Sequence, residues 1–142
     1  MDFGGAMFFT DYSMSAVELA RALEERGFES LWAPEHSHIP LSRKTPFPGG
    51  GDLPKQYYDA MDPFVLLAAA SQVTKAIKLG TGVLLVQQRD AIQTAKLVTS
   101  IDQVSQGRSC SGSAVAGTRT KWRITARSMP LASSACAKAS RR

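Results

Sequence analysis

Long apolar runs, cysteine and histidine are what this 142-residue sequence has least of. Its longest uninterrupted apolar run, Phe64 to Ala70, is far short of the roughly 20 residues that cross a bilayer, so no membrane span or membrane partner is expected. The amino terminus has no basic stretch ahead of an apolar segment, which argues against a secretory leader and for a cytoplasmic location. The two cysteines, Cys110 and Cys136, have no histidine near them and fit neither a disulfide framework nor a zinc site. The length itself is short of the roughly 250 residues that a closed eight-unit α/β barrel takes.

Acidic residues are absent from Ser109 to Arg142, which carries seven Lys and Arg, whereas Met1 to Arg108 holds 10 basic against 12 acidic residues. The net charge of +5 therefore belongs to the tail and not to the body of the chain. That tail has only Val115, Ile124 and Leu131 as branched aliphatics and no Phe, too little for a packed core. The composition divides the chain into a folded unit, residues 1–108, and a basic tail, residues 109–142, expected to be disordered. A basic tail can attach to nucleic acid through charge alone, but this one has no recognition motif and little aromatic interleaving, so no nucleic-acid partner is expected.

What is present in the first 108 residues is alternation. Asp2 to Thr10 and Phe28 to Pro34 are short apolar runs that read as strands, and Ile77 to Leu85 is a third. Between them, Ser15 and Glu18 form a capping box for a helix from Ser15 to Arg26, which Gly27 stops. Asp62 and Pro63 start a helix reaching about Val73. Asp90 caps another through about Val104, which Gly107 closes. Glu35 to Asp59, with four prolines and Gly49-Gly50-Gly51, is a long loop. Strand followed by helix, three times over, predicts right-handed crossovers and a parallel α/β sheet. Ligands of such sheets lie beyond the carboxyl ends of the strands, which directs attention to Thr10–Ser13, Glu35–Pro40 and Gly82–Gln88.

Glu35-His36-Ser37-His38 places a carboxylate and two imidazoles at one of those ends. A metal site wants three or four ligands and no remainder is evident, so no metal is expected. An imidazole there can donate a hydrogen bond or a proton as charge develops on a redox ring, or can merely satisfy loop carbonyls. Gly80-Thr81-Gly82 starts a dinucleotide fingerprint, but Leu85 stands where its third glycine belongs. Glycine inside a strand allows close approach of a ring or a simple bulge. Gly49-Gly50-Gly51 lacks the Lys and Ser/Thr of a phosphate loop.

The strings DFGGAMFFTDYS, SLWAPEHSHIP, PKQYYDAMDPF, IKLGTGVLLVQQRD and AIQTAKLVTSIDQVSQGR resemble the N-terminal part of the bacterial luciferase-like monooxygenases, above all the actinobacterial group linked to deazaflavin coenzyme F-420. The resemblance covers about Met1 to Arg108. It implies a TIM (β/α)8 barrel of which roughly the first three βα units are here. It also implies reduced FMN or deazaflavin F-420 as cofactor, and monooxygenation or hydride transfer on a small organic substrate. By the same resemblance His36 is the catalytic group near the reactive ring, with Glu35 beside it. Gly82 and Val83 match the family's non-prolyl cis peptide behind the ring, which makes Gly82, Val83 and His36 the cofactor-binding candidates. After Arg108 the resemblance stops. One base restored ahead of Ser109 lets Ser109 to Ala126 be re-read as FLFGIGGGWNQDEMADHG, the family's expected strand and glycine-rich turn, so the tail is read as out of frame. Barrel phosphate sites usually come from the loops after strands seven and eight, so a truncated chain is expected to be inactive or impaired. Its uncovered sheet edge and apolar face favour self-association. The alternative is a non-catalytic βα fragment with no ligand.

Overall fold

A computed structural model describes residues 2–43 and 46–113. Four strands, β1 (Gly4–Ala6), β2 (Ser30–Ala33), β3 (Lys78–Leu84) and β4 (Ser109–Ser113), form one all-parallel sheet in the order β1-β2-β3-β4. Helices α1 (Ala16–Glu25), α2 (Pro63–Ser71) and α3 (Ala91–Val104) make the crossovers, giving an α/β fold built of successive βα units. No helix among the described residues is long and apolar enough to cross a membrane.

The helices begin where side-chain acceptors meet free N–H groups. Ser15 Oγ accepts from Glu18 N–H while Glu18 accepts from Ser15 N–H. Asp62 accepts from Phe64 and Val65, and Asp90 from Gln93. Gly27 and Gly107 end α1 and α3 at φ +75° and +80°, conformations that cost a side-chain-bearing residue about 1–2 kcal/mol. One face of the sheet is sealed by the helices: Leu31, Ala33, Leu79 and Thr81 are each no more than 2% exposed and pack with Ala20, Leu23, Leu67 and Ala70. The register puts Trp32 on the opposite face, level with Ala6 and Gly80. A Cβ at Gly80 would stand 2.4 Å from the Trp32 ring, so glycine there is a packing requirement.

Two boundaries differ from expectation. The first strand is only Gly4–Ala6, because beyond Ala6 the chain leaves the sheet and turns Phe8 toward His36 and Tyr57. Ser109–Ser113, assigned by composition to the tail, pairs with β3 as β4. Backbone pairing along an open edge needs no apolar side chains, so composition did not reveal it. Residues 114–142 lie outside the described residues, and with them most of the segment expected to be disordered.

Candidate functional site

The carboxyl ends of β1, β2 and β3 gather Thr10, Glu35–His38 and Gly82–Arg89 on one side of the molecule. A cleft of about 220 Å³ opens there, lined by Glu35, His36 and Ser37 from the end of β2, by Ala60 to Pro63 at the start of α2, and by Arg89.

Glu35 is 3% exposed. One carboxylate oxygen accepts the Leu85 N–H at 2.7 Å, and the other pairs with Arg89 Nε. Arg89 also pairs with Asp62 and lies 5.0 Å over the Phe64 ring. Burial works against the charge of Arg89, yet its hydrogen bond to Asp62 and the charge of Glu35 outweigh it and hold the guanidinium more firmly protonated than usual. One buried carboxylate thus ties the end of β2 to the loop after β3, and Arg89 extends the tie to the residue that caps α2. With both oxygens engaged, Glu35 has the surroundings of an anchor.

His36, the next residue, faces an aromatic wall. Its ring is stacked with Phe8 at 6.0 Å and meets the edge of Tyr57 at 4.9 Å. Phe8 and Tyr57 are themselves 4.7 Å apart, so two segments distant in sequence hold the imidazole in place. Gly82 and Val83 sit one strand over, outside that cleft, and the peptide bond between them is cis. Gly82 lies on the Trp32 side of the sheet, and both residues are exposed. The structure therefore brings Glu35 and His36 together in one cleft and leaves Gly82 and Val83 beside it. Among the described residues no group of three or more His, Cys, Asp or Glu could hold a metal ion.

Sequence reasoning missed Arg89, Asp62 as its second partner, Tyr57 and Gln88. The Glu35–Arg89 pair spans 54 positions and Ser37–Gln88 spans 51, and no local motif announces contacts of that range. Three polar atoms at these strand ends are buried and without hydrogen-bond partners: Thr10 Oγ1, His38 Nε2 and Gln88 Nε2. Buried polar groups are normally paired, so three unpaired ones at these strand ends call for a partner that the described residues do not supply. A planar ring with polar substituents fits that chemistry.

A family model described as luciferase-like monooxygenase matches residues 10–117. An uncharacterized protein of Mycobacterium tuberculosis is 40% identical over 111 residues, which cover 76% of this chain and 39% of that relative. Among solved structures, the oxygenating constituent of 3,6-diketocamphane monooxygenase from Pseudomonas putida in complex with FMN superposes with a TM-score of 0.65 at 17% identity, covering 88% of this chain and 32% of that one. Coenzyme F420 dependent tetrahydromethanopterin reductase from Methanopyrus kandleri does so with a TM-score of 0.63 at 22% identity, covering 92% and 30%. At those identities the two structures show the fold. The chain spans about two fifths of the length of the mycobacterial relative.

Proposed function

The chain belongs to the luciferase-like monooxygenase family, and on that premise we propose that it carries the ring-facing part of a site for reduced FMN or deazaflavin coenzyme F-420. The reaction served is monooxygenation of, or hydride transfer to or from, a small organic substrate. The observation that carries this reading is the placement of His36 at the carboxyl end of β2, packed against Phe8 and Tyr57 and backed by the anchored Glu35. The FMN and coenzyme F420 named for the two structural neighbours support the choice of cofactor class.

When bound, the group supplies the electron pair for the chemistry. The protein's part is to seat the ring against Gly82 and Val83 and to present an imidazole to it. His36 holds or donates a proton where charge develops, the work for which an imidazole is suited near neutral pH. Glu35 has both oxygens committed to Leu85 and Arg89, so its role is to fix the backbone that carries His36.

Two further readings belong to the same proposal. The change of composition after Arg108 is the product of one lost base, and residues 109–142 are out of frame; reading the coding DNA tests this directly. Copies of the chain meet through the outer groove between α2 and α3. α2 is apolar on all sides, and Val65 at 70%, Val104 at 47% and Leu97 at 37% are exposed along that groove. Neighbouring βα units lie to either side of these helices, not over them, so a second molecule is what can cover the groove. Sedimentation should show association that V65E abolishes, and a monomer at high concentration would overturn it.

The cofactor reading is tested by fluorescence titration of FMN and F-420 against the 142-residue chain and a chain with the base restored. The restored chain should bind one of them at least a hundredfold more tightly, because loops late in the barrel supply the phosphate anchor. In it, His36→Ala should lower turnover more than cofactor affinity. A restored chain that binds neither cofactor would refute the reading.

A further inference from the structure

We propose that Ser37, His38 and Gln88 form a second recognition element, beside His36, that reads an amide edge (–CO–NH–) of the bound ring. This deepens the cofactor reading above and rests on it. Ser37 Oγ donates to Gln88 Oε1 at 2.9 Å and lies 3.0 Å from His38 Nδ1. A hydroxyl has one proton, and here it is committed to the Gln88 carbonyl oxygen, so toward His38 the same oxygen can only accept. His38 therefore carries its proton on Nδ1, and its Nε2 is a lone-pair acceptor. The Gln88 amide, with its oxygen occupied, keeps its NH2 group as a donor.

Both of these nitrogens, His38 Nε2 and Gln88 Nε2, are buried and have no partner in the protein. One accepts, one donates, and the Ser37 hydroxyl ties both to a common point at the carboxyl ends of β2 and β3. The complementary ligand feature is a carbonyl next to an N–H. Flavin and deazaflavin rings share that feature, the pyrimidinedione edge, so the element recognises the ring class without choosing between its members. Leaving such a donor or acceptor unpaired in a buried site costs about tenfold or more in affinity.

The test uses the 142-residue chain, labelled with ¹⁵N, and two phosphate-free rings, lumiflavin and N3-methyllumiflavin, followed by NMR. Long-range ¹H–¹⁵N spectra of the free protein should show His38 protonated at Nδ1, and Ser37→Ala should release that preference. Lumiflavin should shift the His38 Nε2 resonance and bind about tenfold more tightly than its N3-methyl derivative, which has lost the N–H. His38→Phe, which removes the acceptor for the ring N–H, should bind both rings with one and the same weaker affinity. Equal binding of the two rings by the unaltered chain, or a proton found on His38 Nε2, would overturn this assignment and leave the cofactor reading standing. If neither ring binds, this assignment falls, and the cofactor reading is decided by the titration of the restored chain.

Discussion

Replacing Arg89 by Met should destabilise the fold more than replacing its partner Glu35 by Gln, although both break the same ion pair. The Glu35 side chain is 1% exposed and the Arg89 side chain 15%. In Arg89→Met the carboxylate stays buried and charged, with the Leu85 N–H still donating to it at 2.7 Å. Stranding a buried charge in this way costs about 3–5 kcal/mol. In Glu35→Gln the amide oxygen keeps the Leu85 contact, and Arg89 keeps Asp62, whose side chain is 42% exposed and partly hydrated. That loss is about 1–2 kcal/mol, the scale of one charged hydrogen bond. Urea unfolding followed by circular dichroism reads the difference: with a slope of about 1–3 kcal/mol per molar, the midpoint should fall by about 1–5 M for Arg89→Met and by less than half that for Glu35→Gln. The double variant should be more stable than Arg89→Met alone, because removing the second charge relieves the first defect. Arg89→Met as stable as Glu35→Gln would show that water reaches this carboxylate, and the anchoring role of Glu35 would be wrong.

Asp62→Ala removes both the cap of α2 and the second partner of Arg89, and should lower stability by about 1–2 kcal/mol in the same urea assay. Glu24 is raised by burial but more strongly lowered by the N–H groups of Ala76, Ile77 and Lys75, and by Arg108, so its pKa in the folded state lies below the ordinary value. A depressed carboxylate stabilises above its unfolded pKa and ceases to do so as pH falls through the folded one, so thermal unfolding of Glu24→Gln should be weaker at neutral pH and flatter toward acid than that of the unaltered chain. Gly80→Ala sets a methyl 2.4 Å from the Trp32 ring and should cost about 1–3 kcal/mol with a shift in Trp32 fluorescence, read in a Trp122→Phe background. Gly27→Ala meets nothing within 4 Å, so it should cost about 1–2 kcal/mol through its φ of +75° and leave the fluorescence unchanged.

The legible part of this molecule is the part whose causes are close in sequence. Ser15 with Glu18, Asp62 with Pro63 and Asp90 all announce helices because a cap acts within three or four residues, and the helices start within a residue of those signals. Parallel pairing followed from alternation, since a strand that returns through a helix can only lie parallel to its predecessor. Glu35 and His36 stood out by residue type, but their roles separate only when Arg89 and Tyr57 arrive from other loops. A carboxylate with both oxygens occupied and an imidazole packed against two rings look alike in a one-dimensional string. Trp32 shows the same limit from the packing side. Gly80 and Gly82 were visible as unusual strand residues, but their reason is a ring on the neighbouring strand, and only the register Trp32↔Gly80 connects them. The pattern is physical: backbone hydrogen bonds of helices are local and leave local signatures, whereas the sheet's register and the site beyond its edge are built from pairs about 26 to 54 residues apart. A site placed at the carboxyl ends of parallel strands is assembled from the loops that sequence order separates most evenly, so its position could be foreseen from the topology while its chemistry could not.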